Sequence, residues 1–256
     1  MKKRLSIPAF LLALLFTFNL AFAQNGEMKP EAGKLYNAGN ELLKAGNYNE
    51  AIVNYDNALK IEKDYRTYYQ KGIALKKSGK LDEAQAAFES SLSQKKDFEA
   101  GYNALGGVYF SKGDYQKAID NFEKVVEMAD DNKTKNAVKK NLSLAYTKLG
   151  SAAKSDGNPE RAVQHLQKAV ENNNYDAAYL LLAQVYTELG QYDKAIAAGE
   201  SALKYRSGIS KGGPYYYMGV AYKNKGDNTK AVQMLNEAKS DATYKKLVEY
   251  ELTLLK

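Results

Sequence analysis

A pattern of small and aromatic residues recurs about every 34 positions along this 256-residue chain. A glycine stands five residues before each anchor of the pattern, a small residue stands twelve before, and a tyrosine or leucine stands sixteen before. The anchors, separated by 33, 34, 44, 33 and 36 residues, are Ala51, Ala84, Ala118, Ala162, Ala195 and Ala231. Recurrence on this scale predicts stacked helical hairpins, because one short amphipathic unit can bury its apolar face only against its neighbours.

Within one copy, two runs of apolar residues at helical spacing are separated by a short break. In the third copy the break is Gly113-Asp114, and glycine accepts the backbone angles that a tight turn needs. The runs are Tyr102, Leu105, Val108 and Tyr109, followed by Ala118, Ile119 and Phe122. Each copy is therefore predicted to fold as helix, turn, helix.

This pattern resembles the tetratricopeptide repeat, which has a large aromatic, Leu-Gly, Tyr, Gly-Asp-Tyr, Ala, an aromatic and Ala in order. The third copy matches with Leu105-Gly106, Tyr109, Gly113-Asp114-Tyr115, Ala118 and Phe122. The resemblance extends from about Glu31 to Ala238. It implies an all-α, right-handed superhelical solenoid of about six hairpins, the repeat being a scaffold that serves many functions.

The chain divides into five predicted segments. Residues 1–23 form a signal peptide and 24–31 a flexible lead-in. Repeats one to three occupy 32–130, repeats four to six occupy 131–242, and a C-terminal capping helix covers 243–256. The 44-residue spacing places about ten extra residues in the fourth repeat, which predicts a first helix of about 24 residues. Its basic residues Lys133, Lys135, Lys139 and Lys140 favour a solvated helix face over a binding arm.

The N-terminus has the features of an export signal. Lys2, Lys3 and Arg4 precede an apolar run, and Ala21-Phe22-Ala23 forms a cleavage pattern before Gln24. An uncleaved membrane anchor is the alternative, although the run is short for a span. Cleavage leaves an exported protein, periplasmic or extracellular, with no stable membrane span. The chain has no cysteine, so it is not a lipoprotein and contains no disulfides.

The charge of the chain disfavours nucleic acid as its partner. The formal net charge is +7, from 37 basic and 30 acidic residues, and removal of the three basic residues of the signal lowers it to +4. Catalytic motifs are lacking, and the single histidine, His165, has no partner motif. We therefore predict a protein that is not an enzyme and that uses no cofactor or metal.

Polar residues directly after the turn glycines are predicted to cap the second helices. Lys80 and Gln191 hold this place in two repeats and should cap less well. The predicted caps are Asn47, Asp114, Asn158 and Asp227.

In tetratricopeptide arrays the residues 18, 15, 11 and 8 before each anchor face the concave surface. The resemblance therefore implies a peptide-binding groove, and its predicted residues are Tyr36, Asn40, Arg66, Tyr69, Ile73, Lys76, Asn103, Phe110, Gln184 and Tyr216. Arg66 and Lys76 would meet partner carboxylates, while the aromatic rings and amides suit an extended peptide. The alternative is that the tyrosines merely pack between hairpins. The clamp that some relatives use for acidic chaperone tails is absent, because Tyr36, Ala100 and Ala104 stand where basic residues are needed.

These features predict an exported scaffold that binds an extended segment of an envelope protein partner. The alternative is a glycan-binding accessory factor in envelope polysaccharide or cell-wall assembly, with Tyr36, Tyr69 and Tyr216 as stacking platforms. Binding that depends on Arg66 and Lys76 and weakens with salt would indicate a peptide, because sugar stacking is nearly independent of salt. The identity of the partner, the envelope process and the oligomeric state are left open by the sequence.

Overall fold

The computed structural model of this chain describes residues 26–255. The predicted signal peptide lies outside the described residues. Within them, thirteen helices occur in the order α1 (Pro30–Lys44), α2 (Tyr48–Ile61), α3 (Tyr65–Lys77), α4 (Leu81–Gln94), α5 (Glu99–Lys112), α6 (Tyr115–Met128), α7 (Asn132–Ser155), α8 (Pro159–Asn172), α9 (Asp176–Glu188), α10 (Tyr192–Lys204), α11 (Gly212–Asn224), α12 (Asn228–Ala238) and α13 (Lys245–Thr253).

The first twelve helices pair into six consecutive hairpins, and each hairpin packs against the next. α13 closes the last hairpin, with Val248 buried against Leu235 and Ala238 of α12. The prediction of an all-α array of six hairpins with a capping helix is confirmed. Because the main contacts between hairpins of the described chain all join neighbouring hairpins, the core runs along the array instead of forming one central cluster.

All six turn glycines adopt the left-handed conformation that the repeat pattern predicted. Their φ angles range from +69° at Gly190 to +84° at Gly46 and Gly226. At Gly113 the turn is closed by hydrogen bonds from the Gly113 N–H to the Phe110 carbonyl and from the Asp114 N–H to the Tyr109 carbonyl. A side chain at these positions would be strained, which explains why the glycine recurs.

The predicted caps are confirmed at three of the four positions. Asp114, Asn158 and Asp227 each accept a hydrogen bond from a backbone N–H of the following helix. The prediction is wrong at Asn47, whose exposed side chain makes no capping bond. Water can solvate the free N–H groups at an exposed helix end, so a side-chain cap is not obligatory there.

Close contact between the two helices of a hairpin explains the small residues twelve positions before the anchors. A Cβ atom on Gly106 would lie 2.7 Å from the Phe122 ring and 3.2 Å from the Ala118 carbonyl oxygen.

The fifth repeat departs from the pattern because it has Gly199 where the others have a large residue. There Met218 of the next hairpin fills the space, since a Cβ on Gly199 would lie 2.5 Å from its Cγ.

The fourth repeat contains the irregularity that the 44-residue spacing predicted. Its first helix, α7, has 24 residues, which confirms the predicted length. Val138 and Leu142 are buried on one side of the N-terminal extension, so this part of the helix packs against the array.

Candidate functional site

The first helices of the hairpins form the inner layer of the array. Close contacts join α1 to α3, α3 to α5, α7 to α9 and α9 to α11, whereas the second helices of neighbouring hairpins lack comparable contacts in the described chain. A stack of hairpins curves toward the layer whose members approach most closely. The first helices therefore form the more closely packed layer, which is the layer that the resemblance assigns to the concave side.

The pair α5 and α7 is the exception in this inner layer, since these helices do not make the same close contact. A cavity of about 400 Å³ opens beside them and is floored by Phe122 of α6. Its walls come from three first helices. They comprise Tyr69, Ile73 and Lys76 of α3, Asn103, Ala104, Gly107, Phe110 and Ser111 of α5, and Asn141 and Leu144 of α7.

Half of the ten predicted groove residues meet in this cavity, which we call the central groove. They are Tyr69, Ile73, Lys76, Asn103 and Phe110. Asn40 lines a second cavity of about 310 Å³ between α1 and α3, together with Asn37, Glu41, Leu43, Lys44 and Gln70. Tyr36, Arg66, Gln184 and Tyr216 line neither of these two cavities of the described chain.

Lys76 is the only charged residue among the described residues that line the central groove. Its amino group lies over the backbone of α5, because a Cβ on Gly107 would be 3.0 Å from Nζ. None of the ion pairs formed by residues 26–255 includes Lys76. The half-buried groove therefore carries a positive charge that no carboxylate of the described chain neutralises.

Arg66 does not supply the second free cation that the sequence suggested. Asp64 caps α3 by accepting the backbone N–H groups of Arg66 and Thr67, and the Asp64 carboxylate also lies 2.8 Å from the Arg66 Nη2. The hydrogen bond to Asp64 raises the pKa of the Arg66 guanidinium above its usual value. A carboxylate two residues away thus pairs with the guanidinium, and Arg66 lines neither of the two cavities.

Tyr69 belongs to both the core and the groove. Its ring centroid lies 5.7 Å from that of the buried Phe88 and 5.1 Å from that of Phe98, where the rings meet edge to face. Burial raises the pKa of the Tyr69 hydroxyl. The alternative of packing between helices therefore applies to Tyr69 in part, although the same side chain also lines the central groove.

The remaining predicted residues lie apart from the central groove. In the first hairpin, Asn40 accepts a hydrogen bond from the Tyr55 hydroxyl at 2.8 Å, and the Tyr36 ring lies 6.2 Å from Tyr55. Gln184 of α9 donates to the Glu188 carboxylate at 3.2 Å. The ring of Tyr216 packs 5.3 Å from Tyr244, which leads into the closing helix. Tyr36, Tyr69 and Tyr216 thus do not line a common cavity among the two described above.

The sequence analysis missed six groove residues, namely Ala104, Gly107, Ser111, Phe122, Asn141 and Leu144. Leu144 stands 18 residues before Ala162 and Gly107 stands 11 before Ala118, so the repeat offsets could have identified both. Glycine offers no side chain to a ligand, and the role of Gly107 is to leave room for Lys76. Asn141 lies outside the regular offsets, at the C-terminal end of the extension of α7, and only the packing of that helix places it in the groove.

His165 has no arrangement that supports catalysis. Its ring stacks on Tyr146 with the centroids 6.4 Å apart, and burial together with Arg161 and Lys168 lowers its pKa. No group of three potential metal ligands occurs among residues 26–255. In the same range, no helix combines the length and apolar character that a membrane crossing requires.

Comparison with known protein families places tetratricopeptide repeats along most of the described chain. Four repeat models match, and each is described as a tetratricopeptide repeat. They cover residues 35–65 and 65–98, 97–174, 147–214 and 215–242. The chain belongs to the tetratricopeptide-repeat family.

Solved structures show the same fold at low sequence identity. A tetratricopeptide-repeat protein from Cytophaga hutchinsonii is 21% identical, with a TM-score of 0.56, and the alignment covers 86% of this chain and 84% of that one. YrrB, described as a tetratricopeptide-repeat protein with an unusual peptide-binding site, is 23% identical with a TM-score of 0.52, covering 78% and 97%. A double mutant of MamA RS-1 is 22% identical with a TM-score of 0.52, covering 70% and 96%. No curated protein sequence matches.

Membership in the tetratricopeptide-repeat family assigns a general role to the chain. Such repeats are protein–protein interaction scaffolds and are typically not enzymes. In this tetratricopeptide array, the central groove combines aromatic rings, amides and one unpaired amino group on the concave layer. These are the groups through which a scaffold can hold a polypeptide segment.

Proposed function

We propose that this protein binds an extended segment of a protein partner in the central groove. The observation that carries the proposal is the unpaired Lys76, which faces the groove beside Tyr69 and Phe110. The two rings supply contact area at low entropic cost, because each has few rotatable bonds. The amides of Asn103 and Asn141 can bond the backbone of an extended chain, which has unpaired N–H and C=O groups.

The charge of the groove favours a segment that carries a carboxylate. Lys76 is the single charged group of the lining, and burying it under an uncharged ligand would remove water from an unpaired ammonium group. A partner carboxylate would instead form a charge-assisted hydrogen bond with it. We therefore expect an acidic residue flanked by aromatic or apolar residues in the segment.

We also propose that the scaffold acts outside the cytoplasm, in the periplasm or the extracellular space. The basic n-region, the apolar run and the Ala21-Phe22-Ala23 cleavage pattern support this location. An envelope protein would then be the natural partner.

Site-specific photo-crosslinking tests the groove. A photoreactive residue at Ser111, which lines the groove, should crosslink to an envelope protein, whereas the same residue at exposed Ser93 on α4 should not. Lys76→Ala combined with Asn103→Ala should lower the yield at Ser111 roughly tenfold, since hydrogen bonds to charged groups contribute about 1.5–3 kcal/mol. Neither side chain belongs to an ion pair of the described chain, so the variant should stay folded.

The control is Lys77→Ala, which removes a neighbouring lysine that lies over the Tyr48 ring instead of in the groove. Equal loss in this control and in the groove variant would contradict binding in the groove, as would undiminished crosslinking in the groove variant. The glycan alternative makes a different prediction. Purified envelope polysaccharide would bind with little dependence on salt or on Lys76, because stacking on aromatic rings involves no charge pair.

A further inference from the structure

α7 contributes a second basic surface beside the central groove. Asn141 and Leu144 of this helix line the groove, and residues one or two turns away on the same side share that face. The helical spacing from Asn141 and Leu144 places three exposed lysines on this face, namely Lys133, Lys140 and Lys148. We call these three residues the lysine row.

The other lysines of the extension face a different direction. Lys135 and Lys139 are half-buried and lie on the opposite side of the helix from Leu144. The four lysines that stand together in the sequence are therefore divided by the helix into two pairs. Lys133 and Lys140 point along the groove side, and Lys135 and Lys139 point away from it.

The charge of α7 is not balanced within the helix. Its 24 residues include six lysines and no aspartate or glutamate. A solvated helix face normally alternates acidic and basic residues, and (i, i+4) pairs then neutralise the charge. No member of the lysine row forms an ion pair with any residue between 26 and 255, whereas Lys154 of the same helix lies 3.4 Å from Glu188.

The carboxylate that directly precedes α7 is engaged at the end of the helix. Asp131 precedes α7 and caps it, accepting the Thr134 N–H at 2.8 Å, and this bond lowers the pKa of its carboxyl group. The carboxylate of Asp131 therefore interacts with the N-terminus of α7. Lys140 and Lys148 lie further along the helix, on the side toward Lys76 and the groove.

We propose that the lysine row extends the central groove and binds an acidic stretch of the same partner segment. This inference rests on the proposed function. It adds the chemistry of the partner residues that flank the stretch of the segment bound at Lys76. The axial rise of an α-helix separates Lys133 from Lys140 by about 10 Å and Lys140 from Lys148 by about 12 Å. An extended chain rises about 3.3 Å per residue, so the matching carboxylates would stand three to four residues apart.

Two fluorescent 15-residue peptides serve as probes for this proposal. One has glutamate at every third position among tyrosine and serine, and the other has glutamine at the same positions. Fluorescence anisotropy at low salt would measure binding to the protein comprising residues 24–256. We expect the glutamate peptide to bind roughly tenfold more tightly, and this preference should shrink as salt is added.

A matched pair of variants tests whether binding depends on which side of α7 carries the lysines. Lys133→Glu with Lys140→Glu changes the lysine row, and Lys135→Glu with Lys139→Glu makes the same charge change on the other side of the same helix segment. The first variant should weaken binding of the glutamate peptide about tenfold, while the second should weaken it by less than about threefold, as expected for charges that make no direct contact with the peptide. Circular dichroism would verify that both variants keep the helical content of the parent.

The outcomes separate this proposal from the proposed function. Equal weakening in both variants would show an effect of net charge alone and would overturn the lysine row. The lysine row would also be wrong if the two peptides bound equally, or if a 15-nucleotide single strand of DNA bound this face more tightly than the glutamate peptide. Suppose that Lys76→Ala with Asn103→Ala weakened the binding of both peptides while the matched pair of variants behaved alike. That result would support binding in the central groove and would contradict the role of the lysine row.

Discussion

At the scale of single residues, Asp176 shows how one carboxylate organises a whole loop. It is buried, with 1% of its surface exposed, at the start of α9. One carboxylate oxygen accepts the backbone N–H groups of Ser207 and Gly208, each at 2.6 Å, and that of Ile209 at 3.2 Å. The other accepts the N–H of Ala177 at 2.9 Å. The glycine-rich connection between α10 and α11 is thus held against the preceding hairpin.

These bonds determine how the protein should respond to acid. Burial raises the pKa of Asp176, but the N–H groups of Gly208, Ser207 and Ile209 outweigh it, and the pKa lies below its usual value. A lowered folded-state pKa means that the stabilisation is complete above the unfolded value of about 3.9 and is lost as the pH falls through the folded value.

We therefore predict that Asp176→Asn destabilises the protein by about 2 kcal/mol at pH 7, because charged hydrogen bonds are replaced by neutral ones. Urea unfolding at several pH values would measure the difference. It should shrink below about pH 4, where the carboxyl group of the unfolded parent begins to bind a proton, and continue to shrink as the pH falls through the lowered folded-state pKa. A difference that stays constant from pH 7 to pH 3 would show that the charge of Asp176 does not stabilise the loop.

At the scale of the helical hairpin, a recurring side-chain pair joins the two helices. In three repeats a tyrosine stands nine residues before the anchor and a lysine stands one before it. The lysine Nζ lies 5.4 Å from the ring centroid of Tyr109, 5.5 Å from that of Tyr186 and 5.1 Å from that of Tyr222. These three tyrosines therefore have a structural role at the contact between the two helices of their hairpins.

A close contact within the third hairpin predicts the effect of a larger side chain. Ala118 is fully buried, and its carbonyl oxygen faces Gly106 of the partner helix. Ala118→Leu should destabilise the protein by about 1–3 kcal/mol, because the added carbons have no free space. Thermal unfolding followed by circular dichroism would measure the loss.

Ala86→Leu is the matched control, since Ala86 occupies an exposed position of α4. It should leave the melting temperature nearly unchanged, as surface substitutions usually change stability by less than about 0.5 kcal/mol. Equal melting temperatures for the parent and Ala118→Leu would mean that the anchor alanines do not mark the contact between helices, contrary to the repeat register.

At the scale of the whole molecule, the array is regular except at α7. The ten-residue extension of this helix coincides with the place where the inner layer opens between α5 and α7. The central groove and the lysine row both lie at this irregularity. A deviation from a regular repeat can create a distinct site, because regular stacking would have filled the space with packed side chains.

Export of the whole protein is a separate prediction. The mature chain should begin at Gln24, because Ala21 and Ala23 provide the small residues that cleavage needs. N-terminal sequencing of the protein recovered from the cell envelope would show this directly. Replacing Ala21 and Ala23 by tyrosine should leave the segment attached, and recovery of the parent with Met1 intact would contradict cleavage.

The amino-acid sequence by itself determined the hairpins, their number, the turn glycines and the length of α7. These features depend on short-range geometry, namely helical periodicity, positive φ angles and the size of residues that face each other within one unit. The neutralisation of Arg66 could also have been predicted, because Asp64 stands only two residues away at a helix start.

Only the tertiary structure decided which predicted groove residues meet. Lys76 is unpaired because no carboxylate of a neighbouring helix reaches it. Part of the Tyr69 ring packs against Phe88 and Phe98, which lie outside its own helix. Tyr216 packs against Tyr244 from the closing segment, 28 residues further along the chain. The availability of a side chain depends on what the remaining elements place beside it, and those distances arise only when the hairpins stack.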